Sequence, residues 1–287
     1  MIKGILDCRS LILLIIFMLL TPSSFAERLA PYDALNSGDY QALQRIFSTI
    51  ESNFRKGELT EYQLLDAYKV FYQRQDVFRK QLNSWVANYP DSPIAYLARG
   101  IYFRKLGEFR RGTEYIDKVP QDNINYMNQM FRLAKKDLEK SLQLDPRSYL
   151  AVLHLLNIAQ FEGNDRAAKQ YLLMGDKIFP ENILMRARFL IHLTPRWGGS
   201  YPEMEQFIKE ERQHGLPRDE EKLLIAIELD DQGNMAQQKG DIGLAIAKYQ
   251  KALTLTESAS SWVRHHYLQY SLQLCSSKAF HSKSYCL

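Results

Sequence analysis

Few residues in this chain have the types and spacing that catalysis or metal binding requires. The sequence contains no glycine-rich phosphate loop, no zinc-type cysteine cluster and no nucleophile-elbow motif. His265 and His266 are adjacent, and adjacent residues on a helix point about 100° apart, so the two side chains are poorly placed to share a metal ion. The sequence therefore predicts no catalytic residue, no metal site and no cofactor.

Three polar residues in the middle of the chain are better interpreted as a binding site. His154 and Asn157 fall on the first predicted helix of one repeat and Arg188 on the first helix of the next, at inward-facing positions in the tetratricopeptide register. Asparagine and arginine on neighbouring helices can hold a peptide carboxylate or backbone. The alternative is that they are ordinary solvent-facing residues of a groove. A competing hypothesis is an enzyme whose site contains His154, Arg188 and His192.

A second candidate site is the short segment of residues 194–200. Pro195 ends one predicted helix, two glycines allow a tight backbone path, and Ser200 with Glu203 has the spacing of a capping box for the next helix. A structural interpretation is that Trp197 packs between hairpins and Arg196 bonds carbonyl groups at a helix end. The functional interpretation is an exposed Arg-Trp contact, since both residue types are favoured at binding hot spots.

The elements that must position these residues show a repeat with a period of 34 residues. Asp145-Pro146 recurs as Phe179-Pro180, and three further pairs have the same separation: Ala134 with Ala168, Leu138 with Leu172, and Ser141 with Gly175. This is the period of the tetratricopeptide helix–turn–helix repeat. Residues 147–180 form the best unit, with predicted helices at 148–161 and 165–178, and residues 240–253 form a second copy of the turn and second helix. The predicted fold is therefore all-α, with tetratricopeptide-like helical hairpins forming an α-solenoid.

Apolar periodicity and helix-breaking residues divide the chain into five segments. They are a signal peptide (1–26), an N-terminal helical segment (27–90), a repeat core (91–214), a C-terminal repeat with a capping helix (215–275) and a tail (276–287). The second segment includes a predicted long helix at residues 60–88. A connection at residues 113–122 is longer than the tight turn of a regular repeat, as expected for a functional loop or a tolerated insertion.

The first 26 residues have the pattern of a secretory signal peptide. Lys3 and Arg9 precede an apolar run at residues 11–20, and Ser24 and Ala26 are small residues suited to cleavage before residue 27. An uncleaved N-terminal anchor is the alternative. The predicted location is the periplasm or the exterior, with no stable membrane insertion of the mature chain.

Cysteine content and net charge agree with this interpretation. Cleavage would leave Cys275 and Cys286 as a pair able to form a disulfide in an oxidising compartment, with two free thiols as the alternative. The formal net charge is +4, without a lysine or arginine block, so nucleic acid is a poor candidate partner.

Several motifs together resemble a bacterial family of uncharacterised tetratricopeptide-like domains that carries an R-W-G-G-S motif between helices. The resemblance covers residues 35–208, most of the predicted mature chain. It implies an all-helical repeat domain with no known activity. The matching residues are Arg111, Gly112, Pro146, Arg196, Trp197, Gly198, Gly199 and Ser200.

These observations predict a non-catalytic helical repeat protein of the cell envelope that binds a protein or peptide partner. The interaction role rests on analogy with other repeat arrays, whose concave faces are the usual binding surfaces. The alternative is an envelope enzyme, or an accessory domain of one, with an unrecognised site on that face.

Overall fold

The computed structural model describes the backbone of residues 23–257 and the side chains of residues 30–256. Within this range the chain is all-helical, with twelve α-helices and no strand, which confirms the predicted all-α class. None of the described helices has both the length and the apolar character needed to cross a membrane. Most of the predicted signal peptide, the predicted capping helix at 259–275, the histidine pair and both disulfide candidates, Cys275 and Cys286, lie outside the described residues.

The chain divides into two compact units. The first extends to Gly112 and resumes for Gln121–Asp145, and the second comprises Thr113–Pro120 and the chain from Pro146 onward. The division at residues 145 and 146 falls inside the predicted repeat core. The helices of the first unit are α1 (Ser23–Ser37), α2 (Tyr40–Arg55), α3 (Glu61–Ala67), α4 (Arg79–Asn88), α5 (Pro93–Arg111) and α6 (Gln121–Leu144).

An aromatic cluster forms the centre of the first unit. The ring of Phe47 on α2 lies 4.6 Å from that of Tyr68 and 5.2 Å from that of Phe71, measured between centroids. Trp85 on α4 completes the cluster at 6.2 Å from Phe71, and all four side chains are fully buried. The aromatic residues of this segment therefore act as helix–helix core, the more common use of an amphipathic pattern.

The predicted long helix at residues 60–88 is wrong. Thr60 does cap a helix, through a capping box with Gln63, but α3 ends at Ala67 and α4 begins only at Arg79. Tyr68–Phe71 continue the chain as a 3₁₀-helix, and the end of the following segment is held by Tyr102 on α5. Its hydroxyl accepts a hydrogen bond from the Phe78 amide at 3.0 Å and donates one to Asp76 Oδ1 at 2.8 Å. A tertiary contact thus replaces helical hydrogen bonds that the periodicity alone would favour.

Helices α5 and α6 form a tightly packed antiparallel hairpin because two glycines face α6. A Cβ atom at Gly100 would lie 2.8 Å from Leu138 Cγ, and one at Gly107 would lie 3.0 Å from Phe131 Cε1. No larger residue fits at Gly100 without moving a side chain that is itself fully buried. The close approach brings polar groups of the two helices within hydrogen-bonding distance.

The second unit contains six helices joined mostly by short turns. They are α7 (Tyr149–Phe161), α8 (Asp165–Ile178), α9 (Ile183–His192), α10 (Tyr201–Gln213), α11 (Arg218–Gln238) and α12 (Ile242–Glu257).

The hairpin of α7 and α8 has the predicted local chemistry. Gly163 adopts a φ of 64°, and the Asn164 side chain caps α8 by accepting a hydrogen bond from the Ala167 amide at 3.0 Å. Ala168 is fully buried. Gly175 makes room for the Met185 side chain of α9.

The hairpin of α11 and α12 follows the same plan. Gly240 takes a φ of 82° in the turn, and Ala245 and Ala252 are fully buried, as the repeat pattern predicts. Tyr249 packs on Gly233, where a Cβ atom would lie 2.7 Å from the ring. The arrangement of such hairpins as a solenoid stays a prediction.

Candidate partner-binding site

The segment of residues 194–200 makes a compact turn between α9 and α10. Pro195–Trp197 form one turn of 3₁₀-helix, and Gly198 ends it in the left-handed region at a φ of 95°. Ser200 caps α10 by accepting a hydrogen bond from the Glu203 amide at 3.4 Å. The Glu203 carboxylate accepts from the Ser200 hydroxyl at 2.7 Å, so the two residues form a side-chain pair in addition to the backbone cap.

Arg196 links this turn to the long connection of residues 113–120. Its Nη2 donates a hydrogen bond to the Thr113 carbonyl oxygen, and its guanidinium carbon lies 4.9 Å from the centroid of the Tyr115 ring. The Tyr115 hydroxyl in turn donates to Gln238 Oε1 at 3.1 Å, at the end of α11. These three contacts explain why Thr113–Pro120 belongs to the second unit although the helices on either side of it belong to the first.

Trp197 packs against the end of α7. Its ring meets the Phe161 ring edge-on, with centroids 5.2 Å apart and an interplanar angle of 80°. This contact corresponds to the structural interpretation of the motif. Arg196 also bonds a carbonyl group, as that interpretation expects, but the carbonyl belongs to the loop rather than to the last turn of a helix.

The loop presents apolar side chains to solvent. Ile116 is 60% exposed and Tyr115 is 37% exposed. We name Tyr115, Ile116 and Arg196 the loop surface. Four residues after Gln238, at the start of α12, two more apolar side chains are exposed, Ile242 and Leu244. Exposed apolar residues on a loop held in place by several contacts are typical of a surface that binds another protein.

A tyrosine–aspartate pair lies beside Arg196. The Tyr201 hydroxyl donates to Asp231 Oδ2 at 3.0 Å, joining α10 to α11. Burial raises the pKa of Asp231, while the Tyr201 hydrogen bond and the Arg196 charge oppose that rise. Burial is also the main cause of the raised pKa of Tyr201, and the Asp231 charge adds to it. The pair is therefore a fixed polar contact close to Arg196, the residue that binds the loop.

The predicted groove residues lie inside the unit. His154 is 1% exposed and Asn157 is 8% exposed, because every residue of α7 from 149 to 160 is buried. The Asn157 side-chain amide donates to the Leu153 carbonyl of its own helix at 2.7 Å. Arg188 on α9 is partly exposed, and its carbonyl oxygen accepts a hydrogen bond from Gln160. A partner reaches His154 and Asn157 only after α7 is uncovered, so their binding role stays a prediction.

The histidine of the competing hypothesis has a carboxylate partner. His192 Nε2 lies 2.8 Å from Asp165 Oδ1, and the histidine side chain is 4% exposed whereas the aspartate side chain is 86% exposed. The contact joins the start of α8 to the end of α9 and orients the imidazole, as a general base requires. In residues 23–257 no three histidine, cysteine, aspartate or glutamate side chains group as metal ligands do.

Sequence reasoning missed four residues of this region: Tyr115, Ile116, Tyr201 and Asp231. A usable signal was present for the first two, because an aromatic and a β-branched residue stand side by side between charged residues of the connection. Tyr201 and Asp231 lie 30 positions apart, and no local pattern connects residues at that separation.

Comparison with known proteins assigns no relative. No protein-family model matches this chain, and a search of curated proteins likewise returned no match. The similarity to a bacterial tetratricopeptide-like family therefore stays a prediction from the motifs.

Proposed function

We propose that this chain is a non-catalytic, exported helical protein that binds a protein partner through the loop surface. The partner is a segment that offers apolar side chains. The observation that carries the proposal is Ile116, which is 60% exposed on a loop that Arg196 and Gln238 hold in place. A loop that is already ordered loses little conformational entropy when it binds.

The proposed architecture is a tetratricopeptide-like solenoid in the periplasm or outside the cell. The 34-residue spacing and the two hairpins with a left-handed glycine in the turn, at Gly163 and Gly240, support the repeat. The charged, apolar and small-residue regions of residues 1–26 support export. The weak basic character of the chain supports a protein partner rather than a nucleic acid.

Site-specific photo-crosslinking tests the loop surface directly. A photoreactive amino acid at position 116 is expected to capture one dominant protein in cells. The matched control is position 77 in the first unit, where Val77 is 50% exposed. The same adduct at both positions, or none at position 116, would contradict the proposal.

Affinity measurements with the captured protein complete the test. Ile116→Asp is expected to weaken binding about 30-fold, the effect of losing a hot-spot side chain. Val77→Asp should leave the dissociation constant unchanged. Equal affinities for wild type and Ile116→Asp would remove the loop surface from the interface.

The contact of His192 with Asp165 favours one alternative function, an envelope enzyme or accessory domain. A carboxylate that orients an imidazole is a common catalytic arrangement. A substrate screen with the full chain would test it, and turnover that disappears in His192→Gln but persists in His214→Gln, an exposed histidine, would establish the enzyme.

A further inference from the structure

Two cations on α5 share one carboxylate oxygen. Arg104 Nη1 and Lys105 Nζ lie 2.9 Å and 2.8 Å from Glu108 Oε2, respectively. The side chain of Arg104 is 4% exposed and that of Lys105 is 12% exposed. A guanidinium group does not release its proton in a protein, so Arg104 carries its charge into the interior.

The guanidinium of Arg104 has an edge without a described acceptor. Its Nε atom is buried and has no hydrogen-bond partner in the part of the chain that the structure describes. A buried charged donor without an acceptor destabilises the fold, so a buried unpartnered group of this kind calls for an explanation, such as an ion that binds there.

Arg99, which precedes Arg104 on α5, shows what this edge can bind. Its Nε lies 2.7 Å from Asp137 Oδ2, and its Nη2 lies 2.8 Å from Asp137 Oδ1. The two donors on one edge of the guanidinium thus hold both oxygens of a planar carboxylate. Arg104 instead binds Glu108 through its Nη1. The Nε of Arg104, which corresponds to the atom that binds Asp137 in Arg99, therefore has no acceptor among the described residues.

A further cation and two aromatic rings lie near Lys105, the neighbour of Arg104 in the sequence. Lys105 Nζ lies 4.4 Å from the centroid of the Tyr72 ring and 5.5 Å from that of Phe109. The guanidinium of Arg74, an exposed residue, lies 5.3 Å from the same Phe109 ring. Residues 72–78, which include Tyr72 and Arg74, form no α-helix, and the Tyr102 hydroxyl holds the end of this segment at Asp76 and Phe78.

We propose that Arg74, Arg104 and Lys105 form a binding site for a small oxyanion, either a carboxylate or a phosphate group. The ligand oxygens bind the Nε edge of Arg104, where the arginine fork provides directed donors. Lys105 and Arg74 add positive charge on the side of residues 72–78. Because the Arg104 side chain is only 4% exposed, the anion reaches its Nε when the side chains around it move aside.

Ligand-induced stabilisation tests the site with the full chain. Thermal unfolding is followed with inorganic phosphate in one arm and citrate in the other, each against sodium chloride at equal ionic strength. Millimolar anion that binds the folded state alone is expected to raise the melting temperature by several degrees. A rise in the phosphate arm alone, or in the citrate arm alone, identifies the oxyanion class.

Variants separate the site from general charge effects. Arg104→Gln is expected to abolish the shift, and Arg74→Gln to weaken binding about 3- to 10-fold, the loss of one exposed charge contact. Arg45→Gln, the same change at an exposed position on α2, should leave the shift intact.

Two results would overturn the proposal: no shift with either anion, or an equal shift in wild type and Arg104→Gln. Circular dichroism establishes that each variant is folded. If Arg104→Gln does not fold, Arg74→Gln and Lys105→Gln decide the question, and an unchanged dissociation constant in both would equally overturn it.

Discussion

Helices α5 and α11 both place charged groups in buried positions, but the charges have opposite signs. Helix α5 carries the guanidinium groups of Arg99 and Arg104, whereas α11 carries the carboxyl groups of Glu220, Glu228 and Asp231. A guanidinium stays charged when it is buried, but a carboxyl group can take up a proton. The two helices therefore show two ways in which one chain compensates buried charge.

On α5 the compensation is a partner of opposite charge. Arg99 holds Asp137 of α6 through two hydrogen bonds, and the aspartate side chain is 5% exposed. Burial raises the pKa of Asp137, and the neighbouring Arg99 acts against that rise. Removing either partner alone would leave an unpaired charge in the interior, which destabilises the fold strongly.

On α11 the compensation is protonation. Burial raises the pKa of Glu228 to about 7; Glu205 of α10 adds to the rise, and Lys248 and Lys251 of α12 oppose it. Gln232, on the same helix, donates to Glu228 Oε1 at 2.7 Å. The cations near Glu228 do not cancel the effect of burial, so the group is partly protonated near neutral pH.

Glu220 at the start of α11 behaves in the same way. Burial raises its pKa to about 7, with Arg186 of α9 opposing the rise and Glu181 adding to it. Arg186 is already bonded to Glu211 at 2.5 Å and to Asp176 at 3.2 Å. Its charge is thus shared among several carboxylates, which limits its effect on Glu220.

The largest expected effect comes from breaking the charge pair of α5. Arg99→Met leaves the Asp137 carboxylate buried without its partner, and we expect a loss of about 3–5 kcal/mol in the free energy of unfolding. Urea denaturation followed by circular dichroism measures it. The double variant Arg99→Met/Asp137→Leu should recover most of the loss, because it removes both charges. A single variant as stable as wild type would show that the pair is unimportant.

A smaller, pH-dependent effect is expected on α11. The pKa of Glu228 in the folded state, about 7, lies above its ordinary value of 4.5. Protonation therefore favours folding, and the contribution is fully present below pH 4.5 and is lost as the pH rises through 7. We expect Glu228 to contribute about 1–2 kcal/mol to the stability difference between pH 5 and pH 8.

Glutamine has nearly the same shape as glutamate but does not titrate. Glu228→Gln should therefore remove this part of the pH dependence of stability. Urea denaturation at pH 5 and pH 8 measures the slope for wild type and variant. Glu139→Gln on α6, an exposed glutamate, is the matched control and should keep the slope of wild type. A slope unchanged by Glu228→Gln would place the titrating group elsewhere.

The smallest expected effect concerns the hydrogen bond between Tyr201 and Asp231, which lies close to Arg196 of the loop surface. Tyr201→Phe removes the hydrogen bond to Asp231 and should cost about 1 kcal/mol at pH 8. Since that bond opposes the rise in the pKa of Asp231, the pKa should increase further in the variant. Carboxyl-carbon NMR titration measures it, with Tyr126→Phe, on α6, as the control. A pKa of Asp231 that does not move would contradict the assigned contact.

Local elements were predictable to within a few residues. Helix α8 was predicted at residues 165–178 and is observed there, because Asn164 and Gly163 determine its start and Pro180 follows its end. The prediction at residues 60–88 failed because the Tyr102 hydroxyl, on a different helix, binds the backbone that would have continued the helix. The spacing of apolar residues along the sequence contains no information about a contact with a different helix.

The candidate site was predictable only in part. Residues 194–200 were recognised from their helix-terminating chemistry, and Arg196 and Trp197 do make defined contacts there. The loop of Thr113–Pro120 was noticed only for its length. That Arg196 binds this loop, 83 positions away, depends on how the helices pack rather than on any local spacing.

The sequence by itself determined the all-helical class, most helix ends and the glycine turns, since capping and periodicity involve residues within one or two turns of each other. The tertiary structure alone decided which polar groups are buried. His154, on an almost entirely apolar helix, is enclosed, Arg99 finds Asp137, and Glu228 finds no sufficient cation. These outcomes depend on helices distant in the chain, because burial and charge pairing are set by whichever surfaces meet when the helices pack.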